Sequence, residues 1–243
     1  MGLITLNNKL IDDVHWSESG LCPYLVNEQI DVWRINVTDN IPYLGSFKST
    51  LNASEQTRGG KYLRDSDRNR FVISRGALRN ILGKYLKQLP GNIEFKLGEN
   101  QKPYVDFGIH YNLSDSADWI VIAISGSEIG VDVEYVKPDF SFDSILKSHF
   151  NANEIEYIKQ ADSPNRFFKL WTRKEAILKA SGVGLTEYLT SITALDGMHT
   201  MDGDLLSTGH DWLLSTFMLK ENYPVTIAAD PLVEKYYFYE YKL

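Results

Sequence analysis

Gly130-Val131-Asp132-Val133-Glu134 sets two carboxylates two residues apart inside an apolar run. On a strand such residues project to one face, so Asp132 and Glu134 stand together while Val131 and Val133 enter a core on the other side. Side-by-side carboxylates repel unless a cation sits between them. Oxygen ligands from one or two carboxylates, completed by substrate phosphate, are what Mg²⁺ takes. Taken alone, an edge strand with a wet acidic face is the simpler account of the pentapeptide. A second candidate is Trp171-Thr172-Arg173-Lys174-Glu175-Ala176-Ile177-Leu178-Lys179, where Glu175 and Lys179, four apart, share a helix face with Trp171. Phe167, Phe168, Leu170 and Leu178 can pack that helix. The pair is either a surface salt bridge worth ~0.3–0.5 kcal/mol or a third carboxylate on the metal with a cation one turn away for a phosphate oxygen. The P-loop, dinucleotide, zinc-protease and hydrolase-elbow fingerprints are absent from the sequence.

These groups need elements to carry them. From Asp67 the apolar positions Phe71, Leu78, Leu82, Tyr85 and Leu89 recur at near-helical spacing until Pro90-Gly91, which predicts a long amphipathic helix bearing Arg70, Arg75 and Arg79. Residues 30–37, 93–97, 109–113, 119–125 and 129–136 read as strands, and 142–149, 154–160 and 164–180 as helices. Strand signals return at 189–195, 212–220, 225–229 and 236–241. The fold class is therefore α+β, as two α+β halves joined near residues 110–130, with no evident internal repeat and no low-complexity linker. The chain has 243 residues, 43% hydrophobic and 23% charged, enough for a substantial core in one compact unit. One cysteine, Cys22, forms no internal disulfide, which fits a reducing, cytoplasmic setting. The first 22 residues lack the apolar core of a signal peptide, and no apolar window reaches membrane-spanning length. Net charge is −7, against general nucleic-acid binding, yet residues 56–87 carry nine Lys/Arg against two Asp. A phosphate or an acidic partner could dock there, although a solvated basic helix face explains the charge as simply.

The two motifs together resemble the 4′-phosphopantetheinyl transferase superfamily, in its larger class where one chain holds two similar halves. The paired signatures G-[IV]-D-[IV]-E and W-x-x-K-E-[AS]-x-x-K stand here as Gly130 to Glu134 and Trp171 to Lys179. Residues 54–79 look like the family's basic helix and Lys102-Pro103 like its G-K-P turn. Tyr111-Asn112-Leu113-Ser114 resembles its F-N-[IL]-S-H-S stretch, and Ser181-Gly182-Val183-Gly184-Leu185 its G-x-G-[IL] tail.

The resemblance implies pseudo-twofold halves with the active site at their interface. Residues 1–115 would form the coenzyme A 3′-phosphate side, and 116–243 the metal-binding strand and catalytic helix. It implies that coenzyme A donates its phosphopantetheine arm to a serine of an apo acyl or peptidyl carrier protein, leaving 3′,5′-ADP. Asp132, Glu134 and Glu175 would hold Mg²⁺ (or Mn²⁺) on the pyrophosphate, Glu175 or a water on the metal would be the base, and Lys179 would steady phosphate charge. Arg58, Arg70, Arg75 and Lys102 would meet the 3′-phosphate or adenine end, with Pro103, Ser114 and Asp115 beside them. Trp171 would pack the helix. The expected protein is a cytoplasmic monomer with no nucleic-acid or membrane partner.

Two positions depart from the family pattern. Gln101 replaces the usual Gly of the turn, and Asp115 replaces a His that lies at the 3′-phosphate. A carboxylate ~4 Å from a phosphate costs ~1 kcal/mol in water and up to ~4 kcal/mol at an effective dielectric of 20. Either Asp115 turns away, a nearby arginine intervenes, or coenzyme A binds weakly. Two rival readings remain: a non-catalytic binding module using the basic helix, and a Mg²⁺-dependent phosphohydrolase.

Overall fold

The computed structural model describes residues 2–26, 28–184, 188–233 and 235–243. In chain order the strands are β1 (Leu3–Leu10), β2 (Trp16–Glu18), β3 (Gln29–Asn36), β4 (Lys96–Leu97), β5 (Pro103–Tyr104), β6 (His110–Ser116), β7 (Trp119–Ser125), β8 (Ile129–Val133), β9 (Gly197–Asp202), β10 (Trp212–Lys220), β11 (Tyr223–Ala229) and β12 (Lys235–Glu240). The helices are α1 (Val37–Asn40), α2 (Leu44–Thr50), α3 (Ala53–Gly60), α4 (Asp65–Leu86), α5 (Asp143–His149), α6 (Ala152–Ile158) and α7 (Ser163–Ser181). Two mixed sheets of five strands result, one ordered β8-β11-β10-β1-β9 and the other β2-β12-β3-β7-β6, while β4 and β5 form a separate ribbon. The chain is thus α+β, with two sheets of similar size.

Strand alternation sets the layering. Val131, Val133, Val225, Ile227 and Phe217 of the first sheet meet Ile30, Val32, Val121, Ala123 and Phe238 of the second in one buried cluster. The opposite face of the second sheet, with Trp33, Ile35, Ile120 and Ile122, packs on Phe71, Ile73, Leu78 and Leu82 of α4. The outer face of the first sheet packs Leu6, Trp212, Leu214 and Ala228 against Ala176, Ile177 and Ala180 of α7. The order is therefore α4, sheet, sheet, α7.

Both ends of the chain cross between the sheets. β1 pairs parallel with β10, and β12 pairs parallel with β3, so neither sheet is drawn from one contiguous half. Two sequence expectations change. β1, β2, β5 and β9 are additional strands. Residues 189–195, read as a strand, contain instead a 3-10 turn at Leu189–Ser191. One local motif recurs: Asn52-Ala53-Ser54-Glu55 and Asn151-Ala152-Asn153-Glu154 each form a capping box, at the start of α3 and of α6.

Each capping glutamate also pairs with a buried cation on the long helix that follows. Glu55 accepts from Arg79 Nε at 2.8 Å, and Glu154 accepts from Lys174 Nζ at 2.9 Å. Arg79 donates on to the carbonyls of Pro90 and Ile93, and Lys174 to those of Leu189 and Ile192. Burial lowers the Lys174 pKa, and the Glu154 charge opposes that shift. Lys174, a motif residue, is thus an anchor of α7 rather than part of the groove described below. Lys174→Ala leaves a buried charge without its partner, and is expected to lower unfolding stability by ~3–5 kcal/mol in urea titration. A loss under ~1 kcal/mol would contradict this assignment. Among the described residues, no helix is long and apolar enough to cross a membrane.

Candidate active site

Asp132 on β8 and Glu134, one residue beyond it, project toward α7, as the alternation requires. Gly130, on the same face, allows the strand to approach: a Cβ there would overlap Ala176 O and Ala180 N and lie 3.0 Å from Ala180 Cα. Strand β8 also runs beside β6, and the β6 side chains 112, 114 and 116 reach across to it. Val131 N donates to Asn112 Oδ1 at 2.9 Å, Ser114 Oγ to Asp132 Oδ1 at 2.8 Å, and Ser116 Oγ to Glu134 Oε2 at 2.8 Å.

Lys179 does not bridge to Glu175. Its Nζ lies 2.7 Å from Asp132 Oδ1 and 2.9 Å from Ser114 Oγ, while Glu175 makes no ion pair among the described residues. The helix-surface salt bridge is therefore not what the spacing builds. Asp132 is 3% exposed, and its Oδ2 is buried without a hydrogen-bond partner. Burial raises the Asp132 pKa despite Lys179. Glu134 is pushed up to about 7, first by burial and then by Asp132, and Glu175 is raised by the same two causes. Asp132 is thus buried and Glu134 and Glu175 partly so, with the Asp132 charge acting on both of the others.

A hard divalent cation fits that arrangement. The orphaned Asp132 Oδ2, the mutual repulsion of three carboxylates and an all-oxygen donor set suit Mg²⁺ or Mn²⁺. Among the described residues no three His, Cys, Asp or Glu side chains are already drawn together around a metal position, so the carboxylates would have to close on the cation. Water and ligand oxygens would have to complete the shell.

Glu175 and Lys179 open onto a groove of about 210 Å³ that shares Asn100, Lys102, Pro103 and Gly182 with a neighbouring one of about 400 Å³. The larger groove extends to His110 and Glu128, which the sequence reading did not single out. Burial lowers the pKa of both His110 and Lys102. Lys102 reaches the groove, but its Nζ donates to Ala180 O at 2.7 Å, closing the end of α7. Asn100 and Gln101 have φ of 53° and 63°, so the turn places Gln101 in the left-handed region that glycine occupies without strain. Leu185, the last residue of the tail motif, lies outside the described residues.

The arginines stand apart from these grooves. Arg58 and Arg75 flank the Phe71 ring at 5.5 and 5.9 Å, and neither they nor Arg70 line either groove. Arg70 Nε pairs with Asp115 at 2.7 Å and Arg70 also holds Asp67 at 3.1 Å. Asp115 therefore turns to the α4 side of β6, opposite Ser114 and Ser116, where an arginine covers its charge. Trp171 stacks on Phe167 at 5.9 Å and packs the helix as expected.

Comparison with known proteins agrees with this geometry. The family model of the 4′-phosphopantetheinyl transferase superfamily matches residues 128–228, from the approach to β8 through α7 to β11. The chain is 32% identical over 172 residues to the 4′-phosphopantetheinyl transferase HetI of Nostoc sp., covering 67% of this chain and 73% of that protein. It is 29% identical over 191 residues to a 4′-phosphopantetheinyl transferase of Bacillus subtilis, covering 74% and 83%. The 4′-phosphopantetheinyl transferase gsp of Aneurinibacillus migulanus is 39% identical over 129 residues, which span 48% of this chain and 53% of gsp.

Proposed function

Because the chain belongs to the 4′-phosphopantetheinyl transferase superfamily, we propose that it moves the 4′-phosphopantetheine arm of coenzyme A onto a serine of an apo acyl or peptidyl carrier protein, releasing 3′,5′-ADP. The observation that carries this reading is the orphaned Asp132 Oδ2, whose carboxylate pairs with Lys179, a residue that lines one groove together with Glu175. Asp132, Glu134 and Glu175 would hold Mg²⁺, or Mn²⁺, which when bound neutralises charge on a pyrophosphate as its anhydride bond breaks. Glu175, raised by burial and without an ion pair among the described residues, accepts the proton of the carrier serine. The serine Oγ bonds to the phosphorus of the phosphopantetheine arm, the phosphoanhydride bond breaks, and its bridging oxygen leaves with 3′,5′-ADP. Lys179, drawn toward the reacting end by Asp132, steadies the phosphate oxygens.

The halves take different tasks in this reading. Residues 1–115 supply the coenzyme A phosphate side, with Lys102 and Pro103 at the groove and Ser114 on Lys179. Arg58, Arg70, Arg75 and Asp115 lie off both grooves and would meet only a phosphate that reaches beyond them. Residues 116–243 supply the carboxylates and α7. A pseudo-twofold axis between β6 and β8 relates the two sheets, with β1 and β12 exchanged between the two segments. Its support is that β8-β11-β10-β1 and β6-β7-β3-β12 share the pairing sequence antiparallel, antiparallel, parallel. The repeated capping box and its buried cation add to it. The protein is read as a cytoplasmic monomer that binds neither nucleic acid nor membrane.

Incubation with coenzyme A, Mg²⁺ and a panel of apo carrier domains should add one phosphopantetheine mass to a carrier. No gain on any carrier, together with phosphate-ester hydrolysis in their absence, would instead favour the phosphohydrolase. Duplex DNA retained at ~150 mM salt would favour the binding module.

The site also sets a pH dependence. Glu134 rises from 4.5 to about 7 in the metal-free protein, so its contribution to stability is present below 4.5 and lost as pH climbs through about 7. Cation binding has the opposite sign, because only the ionised carboxylate is a ligand. The half-saturating Mg²⁺ concentration is expected to rise ~10-fold per pH unit below about 7 and to level off above it. A flat Mg²⁺ requirement between pH 5.5 and 8 would contradict the ligand assignment of Glu134.

A further inference from the structure

Glu134 lies one residue beyond the end of β8, where regular pairing gives out, and its backbone N donates to Pro224 O at 3.2 Å. Its neighbour Asp132 carries like charge, so an unrestrained side chain at this position swings away toward solvent. What restrains it is Ser116. The Ser116 hydroxyl donates its one proton to Glu134 Oε2 at 2.8 Å and accepts from Tyr135 N at 3.0 Å. Those two bonds lock the hydroxyl, and they leave Glu134 Oε1 free. We infer that Ser116 is a positioning residue, which holds Glu134 beside Asp132 so that both carboxylates present oxygen to one divalent cation.

The placement follows from the same-face rule in β6. Asn112 holds the backbone of β8 at Val131, Ser114 holds Asp132, and Ser116 holds Glu134, so each β6 side chain controls one step of the facing strand. Ser114 shares its partner with Lys179, which would keep Asp132 in place without it. Glu134 has no second side-chain donor among the described residues, and Ser116 therefore carries that restraint alone. Outer-shell groups of this kind set metal affinity by ~10–100-fold. The inference rests on the proposed transfer only for its activity arm.

The test is Mn²⁺ binding to the full chain, followed by water-proton relaxation with and without coenzyme A, for wild type, Ser116→Ala and Ser116→Thr. Ser116→Ala is expected to weaken Mn²⁺ by ~10-fold or more, and Ser116→Thr, which keeps the hydroxyl, to return to within about threefold of wild type. In the transfer assay the alanine variant should need more Mg²⁺ for half-maximal rate while keeping most of its kcat at saturation. A purely structural role would lower the melting temperature of Ser116→Ala and leave Mn²⁺ affinity alone, which would overturn the inference. So would a loss of affinity that threonine does not rescue, or a wild-type chain that binds no Mn²⁺. A wild type that binds Mn²⁺ in this serine-dependent way but modifies no carrier removes the transfer reading and leaves Ser116 as assigned.

Discussion

Asp132→Asn is expected to lower phosphopantetheine transfer by ~10²–10³-fold at saturating Mg²⁺, with a melting temperature no lower than that of wild type. The two halves of that expectation come from different atoms of one side chain. Oδ1 accepts from Ser114 and Lys179, and an amide oxygen in the same position keeps both bonds. Oδ2 is buried without a partner, and replacing it with an amide nitrogen removes the proposed ligand. Burial raises the Asp132 pKa, so its negative charge costs stability at neutral pH in the metal-free protein. The neutral amide relieves that cost. Transfer by carrier mass gain and a thermal melt on the same preparation check the pair of outcomes. A variant that transfers at the wild-type rate would show that Asp132 is not a ligand, and one that is much less stable would show that its charge holds the fold.

Why so much of this site was legible, and some of it was not, follows from the range of the forces involved. The same-face placement of Asp132 and Glu134 depends only on strand alternation, a local property, whereas whether Asp115 meets a phosphate or Arg70 is a tertiary question. Helix α7 was legible from its period and its Gly182 cap. An N-cap at Asn52 is legible from its type, but the roles of Glu55 and Glu154 are not, because both look like ordinary surface residues until Arg79 and Lys174 are seen beneath them. Residues 189–195 misled for the reverse reason. Their apolar and β-branched types suit a strand, but Lys174 takes the carbonyls of Leu189 and Ile192. The exchange of β1 and β12 between the sheets joins opposite ends of the chain, so no local pattern could announce it. The arginines were recognised by type alone. Whether each meets a phosphate or a carboxylate is a tertiary question, and Arg70 meets Asp115 and Asp67.

Gly130→Ala is expected to cost about 3 kcal/mol or more of unfolding stability and to remove transfer with it. The added methyl would meet Ala176 O, Ala180 N and Ala180 Cα, all backbone atoms of a packed helix, so no side chain can swing aside to admit it. Relief requires β8 and α7 to separate. That movement carries Asp132 and Glu134 away from Glu175 and Lys179, because the two pairs ride on the two elements being pushed apart. Gly76→Ala isolates the second effect. Its Cβ would crowd Phe47, between α2 and α4, so it too destabilises, but it acts on the far side of the second sheet and leaves the spacing of β8 and α7 unchanged. Urea titration should therefore report a loss in both variants, while kcat measured well below the unfolding midpoint should collapse only in Gly130→Ala. Equal retention of kcat in the two would mean that the close approach at Gly130 serves packing and not the site. Gly45→Ala, with nothing within 4 Å of the new methyl, supplies the reference for a helix glycine replaced without a clash, and it should gain about 0.5–1 kcal/mol.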